Sequence, residues 1–245
     1  MTLSVFVSVP TYREAENIEE LLRRMRAAVP DAHILVIDDG SQDGTAELAE
    51  KIGVELGGVE VLRRPGKSGL GAAYRAGHAI GVARGYDVMV QIDADLSHQP
   101  EQLPAMLQAI DDGADLVIGS RYVEGGAIPH WPVYRLALSR WGGTYAAWAL
   151  GTGVADSTAG YRAYRASALK KMHFESTRSN GYSFQIEMTY RLVKVGGRVT
   201  EVPITFTDRE RGTSKMSPRI VIEAMALVTW WGLRDRVARR RRKRL

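Results

Sequence analysis

The stretch VQIDADLSHQP, residues 90–100, places two aspartates directly after an apolar run. The run has the composition of a buried strand, and Asp93 and Asp95 stand where that strand ends and a turn begins. Two like charges repel each other at such a position unless a cation lies between them. Mg²⁺ and Mn²⁺ bind carboxylates together with phosphate oxygens of a substrate. The D-x-D pattern therefore predicts a divalent metal bound with a diphosphate, and two solvated turn aspartates are the alternative.

Strand and helix signals alternate through the first 120 residues. Apolar, β-branched runs predict strands, and apolar residues repeated at i, i+3, i+4 and i+7 predict helices. The predicted strands are LSVFVSV, HILVI, VEVLRR, DVMVQI and DLVIGSRY, with helices such as ENIEELLRRMRAAV and GLGAAYRAGHAIGVARG between them. This alternation implies an α/β fold, a Rossmann-like, mostly parallel sheet with helices on both faces. Ligands of such sheets bind outside the carboxyl ends of the strands.

Polar groups follow these strands where they end. The groups are Pro10-Thr11-Tyr12 with Glu14, Asp38-Asp39, Asp93-x-Asp95 and Ser120-Arg121. An aromatic face and a carboxylate are suited to a nucleobase, and a guanidinium matches phosphate oxygens bidentately. The segment KSGLGAA lacks the G-x-G-x-x-G spacing of dinucleotide-binding folds, so its glycines indicate a turn before a helix. The sequence thus predicts one crevice that holds a nucleotide with its phosphates.

The pattern changes after Tyr122. The segment IPHWPVYRLALSRWGGTYAAWALG contains three of the five tryptophans, and its Arg135 and Ser139 share one helical side because they are four residues apart. Further on, DSTAGYRAYR is loop-like, SFQIEMTYRLVKVG predicts a helix and RVTEVPITF predicts a strand. The polar loop TDRERGTSKMS supplies Arg209, Arg211 and Lys215, which could close over a diphosphate.

The C-terminal segment combines an apolar stretch with a basic tail. The last twelve residues carry +7 of charge, so the other 233 residues carry −2 of the total of +5. The apolar stretch, Ile220–Leu233, covers 14 positions and contains Glu223, whereas a bilayer span takes about 20 apolar residues. Tryptophan favours the membrane–water boundary and basic residues favour anionic lipid. We therefore expect an amphipathic helix and polybasic membrane-surface tail over residues 218–245, after a catalytic domain over residues 1–217.

Other uses of these features stay open. A basic tail can be a solvated end, and Trp131, Trp141 and Trp148 suit either a core or an interfacial stretch. Nucleic acid is not an expected partner, because no nucleic-acid-binding motif accompanies the tail. The chain has no cysteine, which excludes disulfides, Cys-ligated zinc and thiol catalysis. The N-terminus lacks the basic region and cleavage site of a signal peptide, so we expect a cytoplasmic location.

Seven segments, in order, resemble the polyprenol-phosphate mannose synthases, also called dolichol-phosphate mannose synthases. They are PTYRE, VIDDGSQDGT, DADLSH, GSRY, DSTAGYRAYR, GYSFQIEM and FTDRERGTSK, and the resemblance runs from Val9 to about Ser217. These enzymes are inverting members of glycosyltransferase family two with the GT-A fold. The resemblance implies transfer of mannose from GDP-mannose to a polyprenyl (dolichyl) monophosphate, with inversion and with Mg²⁺ or Mn²⁺.

The resemblance also implies a role for each matching residue. The guanosine pocket would be lined by Pro10, Tyr12, Glu14, Ile37 and Asp39. The metal and diphosphate would be held by Asp93 and Asp95, with Ala94 beside the nucleotide. The remaining groups would be Arg209 and Lys215 on the donor phosphates and Arg121, Arg135 and Ser139 on the acceptor phosphate. Some relatives ligate the metal with Gln at the position of Ser97, whose shorter hydroxyl would reach a metal only through water. The expected catalytic residues are Asp93, Asp95, Arg121, Arg209 and Lys215.

Two other functions remain open. Glucosyl relatives share the D-x-D pattern and the fold, so a UDP-glucose donor is one alternative. A non-catalytic sugar-nucleotide-binding protein is the other, although such a protein is expected to lose part of the site. A processive synthase is not expected, because Ala137 replaces the Gln of the Q-x-x-R-W motif before Arg140-Trp141. Relatives with a second membrane part carry transmembrane hairpins, so this chain is expected to attach peripherally, at the cytoplasmic face, or through an anchoring partner.

Overall fold

A seven-stranded sheet organises the computed structural model, which describes residues 3–208 and 218–242. The strands are β1 (Val5–Thr11), β2 (His33–Asp38), β3 (Val59–Arg63), β4 (Val88–Gln91), β5 (Leu116–Ser120), β6 (Arg162–Arg165) and β7 (Val199–Pro203). Their order across the sheet is β3-β2-β1-β4-β6-β5-β7. All neighbours are parallel except β6, which runs antiparallel to β4 and β5. The predicted mostly parallel α/β sheet is confirmed.

Helices cover both faces of this sheet. They are α1 (Ile18–Ala28), α2 (Thr45–Leu56), α3 (Leu70–Ala83), α4 (Leu103–Asp111), α5 (Val133–Leu150), α6 (Ala166–Lys171), α7 (Gly181–Lys194) and α8 (Pro218–Arg242). Side chains alternate between the faces of a strand. In β1, Val7 and Val9 pack in the core beneath α1, α2 and α4, whereas Phe6 packs in the core beneath α3, α6 and α7. Burial on both faces explains why the strands read as continuous apolar runs.

Strand β6 corrects one expectation, because DSTAGYRAYR was predicted to be loop-like. Its carboxyl-terminal half is a central strand of the sheet. Arg162 is fully buried, and its guanidinium donates hydrogen bonds to the carbonyl oxygens of Ala159, Gln185 and Ser157 at 2.8–2.9 Å. A strand of four residues with an arginine at each end lacks the apolar run by which strands are recognised.

Helix α3 approaches the sheet closely because glycines face the strands. A Cβ on Gly77 would lie 2.2 Å from Ser8 Oγ, and one on Gly81 would lie 2.5 Å from Met89 Sδ. Both distances are far shorter than van der Waals contact, so any side chain at these positions would push the helix outward. The glycines of this helix are therefore packing residues.

Helix α8 packs on α5 and α7 through a third apolar cluster. The Tyr190 and Trp231 rings stack at 5.8 Å with 5° between their planes, and a Cβ on Gly232 would lie 2.7 Å from the Ala149 carbonyl oxygen. The helix continues through the apolar stretch into the basic tail. No helix within residues 3–208 and 218–242 is long and apolar enough to cross a membrane.

Candidate active site

The ends of all seven strands lie along one edge of the sheet. The carboxyl ends of β1, β2, β3, β4, β5 and β7 point there, together with the amino end of antiparallel β6. The residues that follow or precede these ends include Tyr12, Asp39, Asp93, Arg121 and Tyr161. The topology thus brings together polar groups that lie up to 149 positions apart in the sequence.

Asp93 and Asp95 lie on the turn directly after β4. Asp93 is half-buried, and its Oδ1 accepts a hydrogen bond from the phenol of Tyr74 at 2.7 Å. Burial raises the pKa of Tyr74 well above its ordinary value, and the Asp93 carboxylate raises it further, so the phenol keeps its proton. Asp95 is buried, and its Oδ1 accepts from the backbone N–H of Ser97 at 3.1 Å. Leu96 has φ of 59°, in the left-handed region, which makes this turn tight.

The donor set at this turn fits a hard divalent cation. Two carboxylates supply the oxygen ligands that Mg²⁺ and Mn²⁺ prefer. The Oγ of Ser97 is buried and has no hydrogen-bond partner among the described residues, which leaves it for a water or a ligand. Within residues 3–208 and 218–242, no three His, Asp or Glu side chains are grouped so that they could hold an ion by themselves. Such a sparse donor set suits a metal that keeps waters and substrate phosphates as its other ligands.

The loop before β6 closes one side of the Asp93 carboxylate. A Cβ on Gly160 would lie 3.1 Å from Asp93 Oδ2 and 3.6 Å from His98 Nε2. A side chain at position 160 would therefore press on the carboxylate, and glycine leaves it room.

The residues expected at the nucleobase lie on the turn after β1. Tyr12 is half-buried, and the Lys67 ammonium lies 4.8 Å from the centre of its ring. Glu14 donates its backbone N–H to Thr45 Oγ1 at 3.0 Å and accepts at Oε2 from Asn17 Nδ2 at 2.9 Å. These contacts fix the turn, so the aromatic ring and the carboxylate are held at the strand-end edge, between the β2 and β4 turns.

The two aspartates after β2 have different roles. Asp38 accepts from the backbone N–H of Ser41 at 2.8 Å and from its hydroxyl at 2.6 Å, so it forms the turn. Asp39 is 6% exposed and is paired with Arg64 at 2.9 Å and with the backbone N–H of Ser68 at 3.2 Å. A ribose hydroxyl at Asp39 would therefore share the carboxylate with Arg64.

The side chain of Ile37 lies in the core, so its expected place at the guanosine pocket remains a prediction for the backbone of this residue. Ile37 is fully buried and lies on the face of β2 that α3 covers, where a Cβ on Gly77 would be 2.8 Å from its Cδ1. Alternation along the strand turns Ile37 towards the core, while its neighbours in sequence face the other layer. Pro10 is half-buried at the end of β1, and Ala94 is 3% exposed between the two aspartates.

Arg121, which follows β5, is held by Asp156. Its Nε and Nη2 each donate to one carboxylate oxygen at 2.7 Å, and its backbone N–H donates at 3.1 Å. The side chain of Arg121 is 8% exposed and that of Asp156 is 0% exposed. Burial alone would raise the pKa of Asp156, but the guanidinium and its hydrogen bonds lower it below the ordinary value. Asp156 is therefore charged, and a phosphate at Arg121 would share the guanidinium with it.

The other residues expected at the acceptor phosphate lie near the start of α5. Arg135 Nη1 donates to Asp208 Oδ2 at 3.1 Å, and its guanidinium lies 3.9 Å from the centre of the Trp131 ring. Ser139 Oγ accepts a hydrogen bond from the Tyr122 hydroxyl at 2.7 Å. These side chains form a corner that combines cations with aromatic rings.

Aromatic rings connect this corner to the aspartate turn. The Phe206 ring lies 5.8 Å from Trp131 and 5.3 Å from His98, and the Arg121 guanidinium carbon lies 5.3 Å from its centre. Burial lowers the pKa of His98 to about 4, while Asp95 raises it and Arg121 lowers it. The neutral imidazole of His98, three residues after Asp95, therefore belongs to the aromatic cluster that also contacts the Arg121 guanidinium.

The predicted basic loop falls outside the described residues. Arg209, Arg211 and Lys215 belong to residues 209–217, so their predicted contacts with donor phosphates remain predictions. Asp208, which pairs with Arg135, is the last described residue before them.

The fold and the strand-end site define a GT-A glycosyltransferase. The crystal structure of glucosyl-3-phosphoglycerate synthase from Mycobacterium tuberculosis, in complex with Mn²⁺, UDP-glucose and phosphoglyceric acid, matches with a TM-score of 0.69 and 19% identity. The match covers 94% of this chain and 80% of that one. At this identity the likeness establishes the fold, and the GT-A prediction is confirmed.

The chain belongs to glycosyl transferase family 2, whose model matches residues 6–172. It is 50% identical over 241 residues to polyprenol monophosphomannose synthase of Mycolicibacterium smegmatis, covering 98% of this chain and 91% of that protein. It is also 50% identical over 234 residues to undecaprenyl-phosphate mannosyltransferase of Micrococcus luteus, covering 96% of each. Dolichol-phosphate mannosyltransferase of Pyrococcus furiosus is 36% identical over 97% of this chain and 67% of that protein. The resemblance found in the motifs is confirmed.

Two residues of the site were not predicted from the sequence. Asp156 lies in the segment quoted for the resemblance, yet nothing in its spacing pairs it with Arg121. Tyr74 lies on α3, where Gly71, Tyr74 and His78 repeat at i, i+3 and i+7. That face of small and polar residues on a buried helix was the available signal.

Proposed function

We propose that this chain transfers mannose from GDP-mannose to a polyprenyl monophosphate at a membrane surface, with inversion at the anomeric carbon. One observation of the site carries the proposal: the Phe206 ring contacts both the buried imidazole of His98, three residues after Asp95, and the Arg121 guanidinium, so the aspartate turn and the acceptor corner adjoin. The names of two relatives, each half identical over almost the whole chain, support mannose as the sugar and a polyprenyl phosphate as the acceptor.

The donor would lie along the edge from the β2 turn, across the β1 turn, to the β4 turn. Tyr12 and Glu14 would meet the guanine, and Asp39 would meet the ribose. Asp93 and Asp95 would hold Mg²⁺ or Mn²⁺ together with the diphosphate, because carboxylate oxygens at a tight turn match the ligands of those cations. When bound, the cation stabilises the charge of the departing nucleoside diphosphate.

The acceptor requires cations rather than a base. A phosphate monoester has a second pKa near 6, so it is already an oxyanion at neutral pH. Its oxygen forms the new bond to the anomeric carbon as the bond from that carbon to the diphosphate breaks, and the electron pair leaves with GDP. Arg121 and Arg135 would hold the acceptor phosphate against the repulsion of the donor phosphates, and Ser139 would add a hydroxyl.

A polyprenyl chain stays in the bilayer, so the acceptor corner must reach a membrane. Large apolar side chains on α5 and α8 are exposed to solvent: Val133, Tyr134, Leu138, Trp141, Trp148, Trp230, Leu233 and Val237. The guanidinium of Arg236 lies 4.6 Å from the centre of the Trp148 ring, so basic and aromatic groups are interleaved. This composition is typical of helices that lie in the membrane interface, and α5 also carries Arg135 of the acceptor corner.

A donor competition assay tests the reaction. The purified chain receives GDP-mannose and UDP-glucose together, with Mg²⁺ and liposomes that contain polyprenyl phosphate. We expect mannose in the lipid phase and GDP in solution, and loss of this transfer in Asp95→Ala. Asp111→Ala, which removes an exposed carboxylate on α4, is the matched control and should keep the activity. Transfer of glucose would favour the UDP-glucose alternative, and unchanged activity of Asp95→Ala would refute the catalytic role.

Liposome sedimentation tests the membrane surface. Deletion of residues 236–245, and separately Trp141→Glu, should release the protein from anionic liposomes while GDP binding stays unchanged. Val54→Glu changes a more exposed apolar residue on α2 and should not affect sedimentation. Undiminished binding of both changed proteins would exclude the α5–α8 surface as the membrane contact.

A further inference from the structure

We infer that Tyr74 is a positioning residue for the metal-binding carboxylate, because its phenol holds Asp93 Oδ1 in one orientation from beneath the site. The inference rests on the proposed function, since it takes Asp93 as a metal ligand. It also gives a role to the glycine-containing segment GLGAAYRAGH, which matches no nucleotide-binding fingerprint.

The Tyr74 phenol is itself immobilised. It is fully buried, and its ring is nearly parallel to those of Phe184, at 6.2 Å and 12°, and His78, at 6.3 Å and 19°. A fully buried ring packed against such neighbours cannot turn without displacing them. Its hydroxyl therefore presents a fixed donor to Asp93 at 2.7 Å.

The next turn of α3 supports the strand that carries Asp93. His78 Nε2 lies 3.4 Å from the Oε1 of Gln91, which ends β4 two positions before Asp93. The amide of Gln91 donates to Gln185 Oε1 at 2.7 Å and to the Gly160 carbonyl oxygen at 3.0 Å. One buried network thus holds the helix, the strand and the loop that lies against Asp93 Oδ2.

Glycines bring the phenol within reach. Besides Gly77, which lies against β1, Gly71 is so close to the segment before α7 that its Cβ would be 2.6 Å from the Ser179 carbonyl oxygen. A helix moved outward by a side chain at either position would withdraw Tyr74 from Asp93. The spacing of glycines and tyrosine in this segment is therefore explained by packing beneath the metal-binding turn.

A hydrogen bond to a ligating carboxylate contributes to metal affinity. It restricts the carboxylate to the orientation that the metal needs, so less conformational freedom is lost when the metal binds. Removal of such an outer partner typically weakens metal binding by about 10- to 100-fold. The Tyr74–Asp93 bond joins a neutral donor to an anion, is partly buried and is short, which are the conditions for a strong contact.

The test is Mn²⁺ affinity, measured by electron paramagnetic resonance of free Mn²⁺ in the presence of GDP. Tyr74→Phe keeps the ring and removes the donor, and we expect its Mn²⁺ Kd to rise by about 10- to 100-fold. In turnover, the Mn²⁺ concentration for half-activation should rise while the kcat at saturating Mn²⁺ recovers. Tyr164→Phe removes another fully buried phenol oxygen that does not contact Asp93, and its Kd should stay within about twofold of the unchanged protein.

Three outcomes separate the possibilities. Wild-type affinity in Tyr74→Phe, with affinity lost in Asp93→Asn, would overturn the inference and leave the proposed function intact. Equal weakening by Tyr74→Phe and Tyr164→Phe would also overturn it, because the effect would then be one of general packing. Wild-type affinity in Asp93→Asn would instead overturn the metal assignment of the proposed function. If Tyr74→Phe does not fold, 4-fluorophenylalanine at position 74 fills the space of the hydroxyl without donating, and the same rise in Kd is expected.

Discussion

Replacement of Asp156 by asparagine should destabilise the protein strongly, although the residue was not among those predicted for the site. The carboxylate accepts three hydrogen bonds from Arg121, and both side chains are almost completely buried. In Asp156→Asn one oxygen becomes an NH₂ group that cannot accept, and the guanidinium loses its countercharge. Loss of one partner of a buried ion pair typically costs about 3–5 kcal/mol in the free energy of unfolding.

Urea denaturation followed by tryptophan fluorescence measures this loss. With a urea m value of about 2–3 kcal/mol/M, the midpoint should fall by about 1–2.5 M. Inorganic pyrophosphate should raise the midpoint of Asp156→Asn more than that of the unchanged protein, because an anion at Arg121 replaces the missing charge. Asp111→Asn serves as the control, since it changes an exposed carboxylate.

The double variant Arg121→Met/Asp156→Asn removes both charges and should regain more than half of the lost stability.

The pH dependence of the stability that Asp156 contributes has a defined sign. The pKa of Asp156 is lower in the folded chain than in the unfolded one, so its stabilising contribution is complete above about pH 4 and is lost as the pH falls further. A loss of less than about 1 kcal/mol in Asp156→Asn would refute the reasoning, because a buried guanidinium that loses its countercharge and one acceptor cannot cost so little.

The other predictions concern packing, protonation and the acceptor. Gly77→Ala should lower the free energy of unfolding by about 1–3 kcal/mol in thermal unfolding. The reason is that its Cβ would lie 2.2 Å from the Ser8 hydroxyl of β1. Gly142→Ala is the control, since no atom lies within 4 Å of the added Cβ, and it should not destabilise the protein. Burial lowers the pKa of His78 and of His98 to about 4 from an ordinary 6.5, so the unfolded chain takes up protons first and urea midpoints should fall as the pH drops from about 6.5 towards 4; a constant midpoint would contradict this. Arg135→Ala should raise the KM for polyprenyl phosphate roughly tenfold through loss of a charged hydrogen bond, and an equal rise in the KM for GDP-mannose would contradict its placement at the acceptor.

The alternation of apolar runs and amphipathic segments was sufficient to predict the fold and the edge that carries the site. The position of Asp93 and Asp95 followed directly, because a D-x-D that ends a buried strand must lie at that edge. Strand β6 was missed because it is four residues long and begins with a buried arginine.

Contacts between distant residues could not be predicted in the same way. Tyr74 meets Asp93 across 19 positions, and Asp156 meets Arg121 across 35. The first depends on how closely α3 packs, and the second on the antiparallel insertion of β6. Ile37 was assigned to a pocket by resemblance, but the alternation of β2 turns it into the core.

An anomalous difference map from crystals grown with GDP and MnCl₂ would show directly whether Asp93 and Asp95 hold a divalent metal together with the diphosphate. We expect a peak in contact with the carboxylates of Asp93 and Asp95 and with the diphosphate of GDP. A map in which the diphosphate binds elsewhere, or in which no manganese lies at this turn, would contradict the account of why two aspartates follow β4.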